Sequence, residues 1–134
     1  MKEQGNTIPK IVRVAVFGAG KMAMHHVKAI GLCADARLVA VADPVLGKGE
    51  HPLGKELGVE LFTSAEDLLR RAKPDAVHVC TPPVTHTALA RLALENGSHI
   101  YVEKPFTLTG NDAEEIVSLA KERGLCVCAG HQLL

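Results

Sequence analysis

Aromatic residues are scarce in this sequence, which contains no Trp, one Tyr and three Phe among its 134 residues. Surfaces that stack nucleic-acid bases or sugar rings need several aromatic side chains, so they have little to be built from here. A charge excess is also lacking, because 15 Lys and Arg residues balance 15 Asp and Glu residues. Domains that bind nucleic acid usually carry an excess of basic residues. We therefore expect no nucleic-acid partner.

Long hydrophobic runs are missing as well. No apolar stretch reaches the roughly 18 residues that a membrane-spanning helix needs. The first seven residues, MKEQGNT, lack the apolar centre of a signal peptide. We therefore expect no membrane partner and a cytoplasmic location. Residues 1–8 are expected to be a disordered leader, and residues 9–134 have the length of one domain.

The four cysteines include no C-x-x-C pair, and an unexported protein would keep them reduced. Cys126 and Cys128 alternate with Val127 on a predicted strand, so they share one face of the sheet. We expect them to pack as small apolar residues. No metal site is predicted, because no cluster of His, Cys, Asp or Glu has the spacing of metal ligands.

What the sequence does contain is a glycine-rich turn between a strand and a helix. The apolar run Ile11–Phe17 predicts a buried parallel strand, and it leads into a G-x-G-x-x-A turn. Gly18 allows the tight turn, Gly20 lets the backbone approach a pyrophosphate, and Ala23 lets the following helix pack closely. The N–H groups and dipole of that helix favour phosphates. The predicted cofactor-binding residues of the turn are Gly18, Ala19, Gly20, Lys21, Met22 and Ala23.

An acidic residue follows the second predicted strand, Arg37–Ala42. Asp43 lies 23 residues after Gly20, close to the roughly 20 expected of the acid that binds a ribose in dinucleotide-binding folds. Its carboxylate would accept hydrogen bonds from the ribose hydroxyls and repel a 2′-phosphate. The predicted cofactor is therefore NAD, with NADP possible. The alternative is that the glycines only form a loop and that Asp43 only makes a turn with Pro44.

Strands and helices alternate along the rest of the chain. This pattern predicts a doubly wound parallel sheet (Rossmann fold) in a single three-layer α/β/α domain, with strand order 3-2-1-4-5-6. The predicted strands are Ile11–Phe17, Arg37–Ala42, Val59–Phe62, Asp75–Cys80, Ser98–Val102 and Leu125–Ala129. The predicted helices are Lys21–Ile30, Pro52–Leu57, one from a capping box at Thr63–Glu66 to Ala72, Val84–Glu95, and one capped by Thr109 or Asn111 and ended by Gly124.

Two further loops contain unusual residues. Thr81, Pro82 and Pro83 follow the fourth strand, with His86 three positions later, and Glu103-Lys104-Pro105 follows the fifth strand. Ligands of doubly wound sheets bind outside the carboxyl ends of the strands. These loops should therefore meet the glycine turn and Asp43 at one crevice.

With these motifs, the chain resembles the amino-terminal domain of the Gfo/Idh/MocA oxidoreductase family, named for glucose-fructose oxidoreductase, inositol dehydrogenase and rhizopine catabolism. The resemblance runs from Val12 to His131. It rests on four features: G-x-G-x-x-A with His26 three residues on, T-P-P-x-x-H at Thr81–His86, the helix end at Ala93–Gly97, and Glu103-Lys104-Pro105.

The resemblance implies an NAD(P)-dependent enzyme that moves a hydride to or from a hydroxyl of a sugar, cyclitol or nucleotide sugar. It implies that Lys104 is catalytic, near the nicotinamide and the reacting hydroxyl, and that Glu103 orients its surroundings. The other cofactor-binding residues that we expect are Thr81, Pro82, Pro83, His86 and Glu103, together with Lys104 itself. A cofactor contact is also considered for His26, whereas His25, His51, His78 and His99 are interpreted as structural or surface residues.

The sequence departs from the family pattern at its end. In this resemblance, members of the family continue into a larger substrate domain that supplies the general acid and base, and we expect that C-terminal domain to be absent from these 134 residues. We therefore expect the isolated chain to be inactive alone, and to form a homo-oligomer or to lack its partner domain. The alternative function is a free-standing dinucleotide-binding or regulatory module without catalysis.

Overall fold

A single parallel sheet of six strands forms the centre of the computed structural model, which describes residues 11–47 and 56–130. The strands are β1 (Val12–Phe17), β2 (Ala36–Ala42), β3 (Glu60–Phe62), β4 (Ala76–Val79), β5 (His99–Val102) and β6 (Val127–Ala129). Their order across the sheet is β3-β2-β1-β4-β5-β6, and every neighbouring pair is parallel. The predicted fold and strand order are therefore confirmed.

Helices cover the two faces of the sheet unequally. Helix α1 (Lys21–Gly31) packs on one face, where Ala23 and Ile30 join Val14, Val16 and Val41 in a core. The other face has a larger core, with three helices packed over the alternate residues of the strands. These helices are α2 (Ala65–Ala72), α3 (His86–Glu95) and α4 (Gly110–Glu122). A parallel strand covered on both faces is apolar along its length, so alternate residues of β1 enter the two cores.

Helix starts differ in detail from the prediction. The cap of α2 is Ser64 and not Thr63, because the Ser64 hydroxyl accepts the Asp67 N–H at 3.2 Å. Of the two candidate caps of α4, Thr109 is the one used, and it accepts the Asp112 N–H. A 3₁₀ turn at Pro83–Thr85 precedes α3, which begins at His86 rather than at Val84. The predicted leader and most of the predicted helix Pro52–Leu57 lie outside the described residues.

The amino-terminal end of the sheet is held by side chains that bond to the backbone. Asp75 Oδ2 accepts the Arg13 N–H at 2.9 Å, and the Arg13 guanidinium donates to the Lys73 carbonyl at 2.7 Å. The buried Ser98 hydroxyl donates to the Pro74 carbonyl at 2.8 Å. Each of these bonds joins segments that are distant in sequence. They fix the ends of β1, β4 and β5 relative to one another.

One part of the sheet has no helix over it within the described ranges. Helix α1 contacts β1 and β2, so β6 is left uncovered on that face. Cys126 and Cys128 are exposed there, and the prediction that they pack as apolar core residues was wrong. Nowhere in residues 11–47 and 56–130 is a helix both long and apolar enough to cross a membrane.

Candidate functional site

The glycine turn joins β1 to α1 in a tight contact with the neighbouring strands. The Gly18 N–H donates to the Ala42 carbonyl at 2.7 Å. Gly18 has a φ of 115°, and a Cβ added there would lie 2.5 Å from the carbonyl oxygen of Cys80. A side chain is therefore excluded both by the backbone conformation and by the end of β4. Gly18 is required for the turn itself.

Gly20 plays a different part, because it caps α1 at the exposed edge of the sheet. A Cβ added at Gly20 would meet no atom of the described residues within 4 Å. The N–H groups of the first helical turn have no carbonyl partners four residues earlier, so they can bind an anion. Lys21 and Met22 are exposed beside this opening, whereas Ala23 is fully buried. The space at Gly20 is therefore open, and an anion could reach the first turn of α1 through it.

Asp43 connects the end of β2 to the glycine turn. Its Oδ2 accepts the Ala19 N–H at 2.9 Å, and its Oδ1 accepts the Val45 N–H at 3.0 Å. Each carboxylate oxygen has a second lone pair that these bonds leave available. The carboxylate is therefore held in one orientation at the carboxyl edge of the sheet and can still accept hydrogen bonds from a ligand.

Asp43 also lines a cavity of about 660 Å³ between the ends of β1, β2, β3 and β4. The cavity wall is mostly apolar, which is typical of a site for a flat, partly apolar ligand. Thr63, Ala65, Ala88 and Leu89 belong to this wall, although sequence reasoning did not select them. The predicted strand order could have identified Thr63 and Ala65, because it puts the end of β3 beside Asp43. The lining residues are Phe17, Ala42, Asp43, Pro44, Thr63, Ala65, Thr81, Pro82, Val84, Thr85, Ala88 and Leu89.

The T-P-P turn forms another side of the cavity. The Thr81 hydroxyl lies 2.6 Å from that of Thr85, which also donates to the Pro82 carbonyl. Pro82 and Pro83 are exposed, and Thr81 is half-buried. The Thr85 hydroxyl therefore donates to Pro82 and accepts from Thr81, and these two bonds fix the shape of this turn.

His86 is almost fully buried, with 1% of its surface exposed. Its Nδ1 lies 2.7 Å from the Pro105 carbonyl oxygen, and its Nε2 lies 2.8 Å from the Thr81 carbonyl oxygen. The ring thus bridges the T-P-P turn and the E-K-P loop. Because both ring nitrogens contact backbone carbonyls, the geometry favours an indirect role for His86 over the direct cofactor contact that we expect from the sequence.

The E-K-P loop leaves Lys104 exposed at the same edge. No ion pair within residues 11–47 and 56–130 includes the Lys104 ammonium. The neighbouring Glu103 points elsewhere, since its Oε2 lies 2.7 Å from His26 Nε2. His26 therefore contacts the E-K-P loop.

A second histidine completes this cluster. His26 Nδ1 lies 2.8 Å from His78 Nδ1, and the His78 ring stacks on Tyr101 with the ring centroids 5.0 Å apart. Burial, and then the proximity of His26, lowers the pKa of His78 from 6.5 to about 4, although Glu103 opposes the shift. The sequence analysis interprets His78 as a structural or surface residue, and the structure places it within β4, against the rings of His26 and Tyr101. The parallel register, which sets His78 beside Tyr101, could have indicated the stack.

The Cys80 thiol at this edge of the sheet is not suited to act as a nucleophile. Burial, followed by the charge of Glu103, raises the pKa of the Cys80 thiol from 9.0 to about 12. The thiol therefore stays protonated at neutral pH and is a poor nucleophile. Within the described ranges, no group of three or more His, Cys, Asp or Glu residues is arranged to hold a metal ion.

The structure brings the predicted site residues together at the carboxyl edge of the sheet, except that Ala23 and His86 lie in the interior. A parallel sheet of this strand order, with a glycine turn between β1 and α1, defines a Rossmann-type α/β domain. Residues 12–131 match the sequence model of the GFO_IDH_MocA oxidoreductase family, described as an NAD-binding Rossmann fold. The chain belongs to this Gfo/Idh/MocA family, which confirms the prediction from its motifs.

Known proteins with similar sequences are longer than this chain. It is 36% identical over 121 residues to an NAD-dependent scyllo-inositol 2-dehydrogenase of Bacillus subtilis, covering 89% of this chain and 35% of that protein. It is 34% identical over 120 residues to a UDP-N-acetylglucosamine 3-dehydrogenase of Acidithiobacillus ferrooxidans, covering 90% and 37%. The chain thus spans little more than a third of the length of these relatives.

A similar solved structure contains a cofactor. It is scyllo-inositol dehydrogenase from Lactobacillus casei with bound NAD(H) and scyllo-inositol. The TM-score is 0.79 at 26% sequence identity, and the match covers 90% of this chain and 36% of that one. The comparison supports both the fold and NAD as the cofactor of this domain.

Proposed function

We propose that this chain is the cofactor-binding part of a dehydrogenase that transfers a hydride between a nicotinamide cofactor and a hydroxyl of a sugar, cyclitol or nucleotide sugar. One observation carries the proposal: the Asp43 carboxylate is bonded to the Ala19 N–H across the glycine turn and lines a cavity of about 660 Å³. A phosphate-binding helix end and a ribose-binding acid thereby share one edge, as a dinucleotide requires.

The glycine turn is the proposed pyrophosphate site. Gly18 shapes the turn, Gly20 leaves the approach open, and the first-turn N–H groups of α1 would donate to phosphate oxygens. Lys21 and Met22 border the opening, while the buried Ala23 holds α1 close to β1. Ala19 would act through its bond to Asp43.

The cavity beside Asp43 is the proposed adenosine site. Its apolar walls would hold the adenine ring, and Asp43 would accept hydrogen bonds from the ribose 2′- and 3′-hydroxyls. The same charge would repel a 2′-phosphate, so NAD is preferred over NADP. Thr81 and Pro82 contribute to the cavity wall, with Pro83 in the adjoining 3₁₀ turn.

Lys104 is the proposed catalytic residue. When bound, the nicotinamide cofactor supplies the hydride chemistry. The exposed Lys104 ammonium would stabilise negative charge that develops on the reacting hydroxyl oxygen. Glu103 bonds to His26, which keeps this carboxylate engaged away from the lysine. His86 would hold the loop through the Pro105 carbonyl.

The substrate class is proposed from the relatives, whose names include inositol and nucleotide-sugar dehydrogenases. Because the chain spans little more than a third of their length, the opposite wall of the substrate pocket would come from a further domain or from a partner copy in a homo-oligomer.

Calorimetric titration of the chain with NAD⁺ and NADP⁺ tests the proposal. We expect tighter binding of NAD⁺. Asp43→Asn keeps an oxygen for the Ala19 N–H but removes the charge, so it should weaken NAD⁺ binding about 10- to 100-fold, as the loss of a charged hydrogen bond predicts. The difference between the affinities for NAD⁺ and NADP⁺ should become smaller in the same variant.

Asp35→Asn is the matched control, since Asp35 is an exposed acid just before the amino end of β2. It should leave both affinities unchanged. Equal or tighter binding of NADP⁺ by the unaltered chain would remove Asp43 from its proposed role. No binding of either dinucleotide by the folded chain would contradict the proposed function as a whole.

A further inference from the structure

Two histidines and a carboxylate form a continuous row beside the E-K-P loop. Glu103 Oε2 lies 2.7 Å from His26 Nε2, and His26 Nδ1 lies 2.8 Å from His78 Nδ1. Glu103 follows β5, His26 is on α1, and His78 is on β4. The row therefore leads from the loop that carries Lys104 to the face of the sheet on which β6 is uncovered.

The donors of this row follow from counting protons. An ionised carboxylate only accepts, so His26 Nε2 must carry the proton that it shares with Glu103. One proton lies between the two Nδ1 atoms, because a hydrogen bond needs one donor and one acceptor. When His26 is neutral, His78 Nδ1–H donates to it. When His26 is charged, its own Nδ1–H donates, and His78 must carry its proton on Nε2.

We propose that His78 and His26 form a proton relay that takes up a proton at the sheet face and holds it on His26, against the Glu103 carboxylate of the E-K-P loop. A proton binds to His78 Nε2, and the Nδ1–H bond of His78 breaks as that proton moves to His26 Nδ1. His26 is then an imidazolium that donates from Nε2 to the Glu103 carboxylate. The reverse sequence releases one proton from His78 Nε2.

The surroundings suit a relay that holds its charge on His26 alone. The titratable groups that face the row, besides Glu103, are Cys80 after β4, Tyr101 on β5 and Cys128 on β6. Burial is the main cause that raises the pKa values of both Cys80 and Tyr101, so both stay neutral near pH 7. Burial also keeps His78 uncharged down to about pH 4, and His78 therefore passes a proton without retaining it.

The use of this relay in catalysis rests on the proposed function, since oxidation of a hydroxyl releases one proton with each hydride. The relay itself rests on the contacts of the row. A test on the protonation of the two rings therefore separates the relay from the proposed function.

Long-range ¹H–¹⁵N NMR of the labelled 134-residue chain, from about pH 8 to about pH 5, is the test. A neutral ring gives two well-separated nitrogen shifts, and an imidazolium gives two similar ones. In the form of the chain in which the His26 ring is neutral, His78 should carry its proton on Nδ1. In the form in which the His26 ring is an imidazolium, His78 should be neutral and carry its proton on Nε2.

Two variants assign the signals and sharpen the result. His78→Phe keeps an aromatic ring on Tyr101 but breaks the row, so neutral His26 should keep its Nε2–H tautomer, held by Glu103, while its Nδ1 shift moves because it no longer accepts the His78 N–H. His25→Gln is the matched control, because His25 is the exposed neighbour of His26 on α1. It should leave the coupled change intact. Amide spectra verify that each variant is folded.

An unchanged His78 tautomer through the His26 titration would overturn the relay. Simultaneous charging of both rings would do the same. Either result with NAD⁺ binding intact would leave the proposed function standing. A coupled tautomer change in a chain that binds no dinucleotide would support the relay and contradict the proposed function.

Discussion

The Nδ1 atom of His86 lies 2.7 Å from the carbonyl oxygen of Pro105, across the gap between α3 and the E-K-P loop. The other ring nitrogen lies 2.8 Å from the Thr81 carbonyl. A buried imidazole thus contacts backbone oxygens of both loops that follow β4 and β5. The bridge therefore reaches the residue next to Lys104 in the E-K-P loop.

Replacing His86 with Phe should destabilise the domain by about 1–3 kcal/mol, because the backbone carbonyl that accepts the ring N–H loses its donor and the buried bridge between the two loops is removed. Urea denaturation followed by circular dichroism measures the change. His99→Phe is the control, since His99 is only half-buried and accepts one N–H, from Cys126. If both variants lose the same free energy of unfolding, the His86 bridge contributes no more to stability than the single hydrogen bond of His99.

Gly18→Ala and Gly20→Ala should separate folding from binding. At Gly18 the added Cβ would lie 2.5 Å from a carbonyl at positive φ, so we expect a loss of about 2–5 kcal/mol from strain and overpacking together. Gly20→Ala should change the stability by less than about 1 kcal/mol. Denaturation curves of the two variants give their free energies of unfolding. Similar decreases in both would contradict the assignment of Gly18 to the fold of the turn and of Gly20 to ligand binding.

Gly20→Val should abolish NAD⁺ binding while the domain stays folded. Its branched side chain would enter the space by which a pyrophosphate reaches the first turn of α1. Calorimetry gives the affinity, and circular dichroism verifies the fold. A folded Gly20→Val chain that binds NAD⁺ normally would show that the phosphate site lies elsewhere.

The free energy of unfolding of the domain should decrease as the pH is lowered, because His78 takes up a proton more readily in the unfolded chain. The folded-state pKa is about 4 and the reference value is 6.5, so the unfolded chain takes up a proton first as the pH falls. The resulting loss begins near pH 6.5, grows to about 2–3 kcal/mol near pH 4 and is absent above pH 7. Denaturation of the unaltered chain and of His78→Phe at several pH values isolates this contribution. If both show the same pH dependence, His78 is not its source.

The 134-residue chain by itself should oxidise sugars, cyclitols or nucleotide sugars at no useful rate with NAD⁺. Lys104 supplies charge stabilisation, but positioning of the substrate and a general base contribute many further powers of ten. Absorbance of the reduced cofactor measures turnover, with Lys104→Ala as the control. Robust turnover that disappears in Lys104→Ala would overturn this expectation.

The backbone architecture could be predicted from the sequence because its signals are local. An apolar run such as Ile11–Phe17, a G-x-G-x-x-A turn and alternating strands and helices leave few topologies open. The loops at Asp43, Thr81 and Glu103 therefore fell at one edge. The cap of α2 was misplaced by one residue, because Thr63 and Ser64 are both good caps and only the backbone decides between them.

Contacts between side chains of distant elements were not predictable in the same way. Nothing in the sequence near His78 indicates that α1 brings His26 within 2.8 Å of it. Burial of His86 against two carbonyls depends on how α3 is oriented over the sheet. The exposure of Cys126 and Cys128 depends on which strands α1 covers, and hydrophobic alternation cannot specify that.

The bonds made by Asp75, Arg13 and Ser98 at the amino end of the sheet also bear on how this domain could be redesigned. They hold the strands together at the edge opposite the glycine turn, so the two edges can be altered independently. Substitutions that retune the ligand at the carboxyl edge need not weaken these bonds. Reinforcing the amino edge would in turn give the domain a margin of stability with which to tolerate changes in ligand preference.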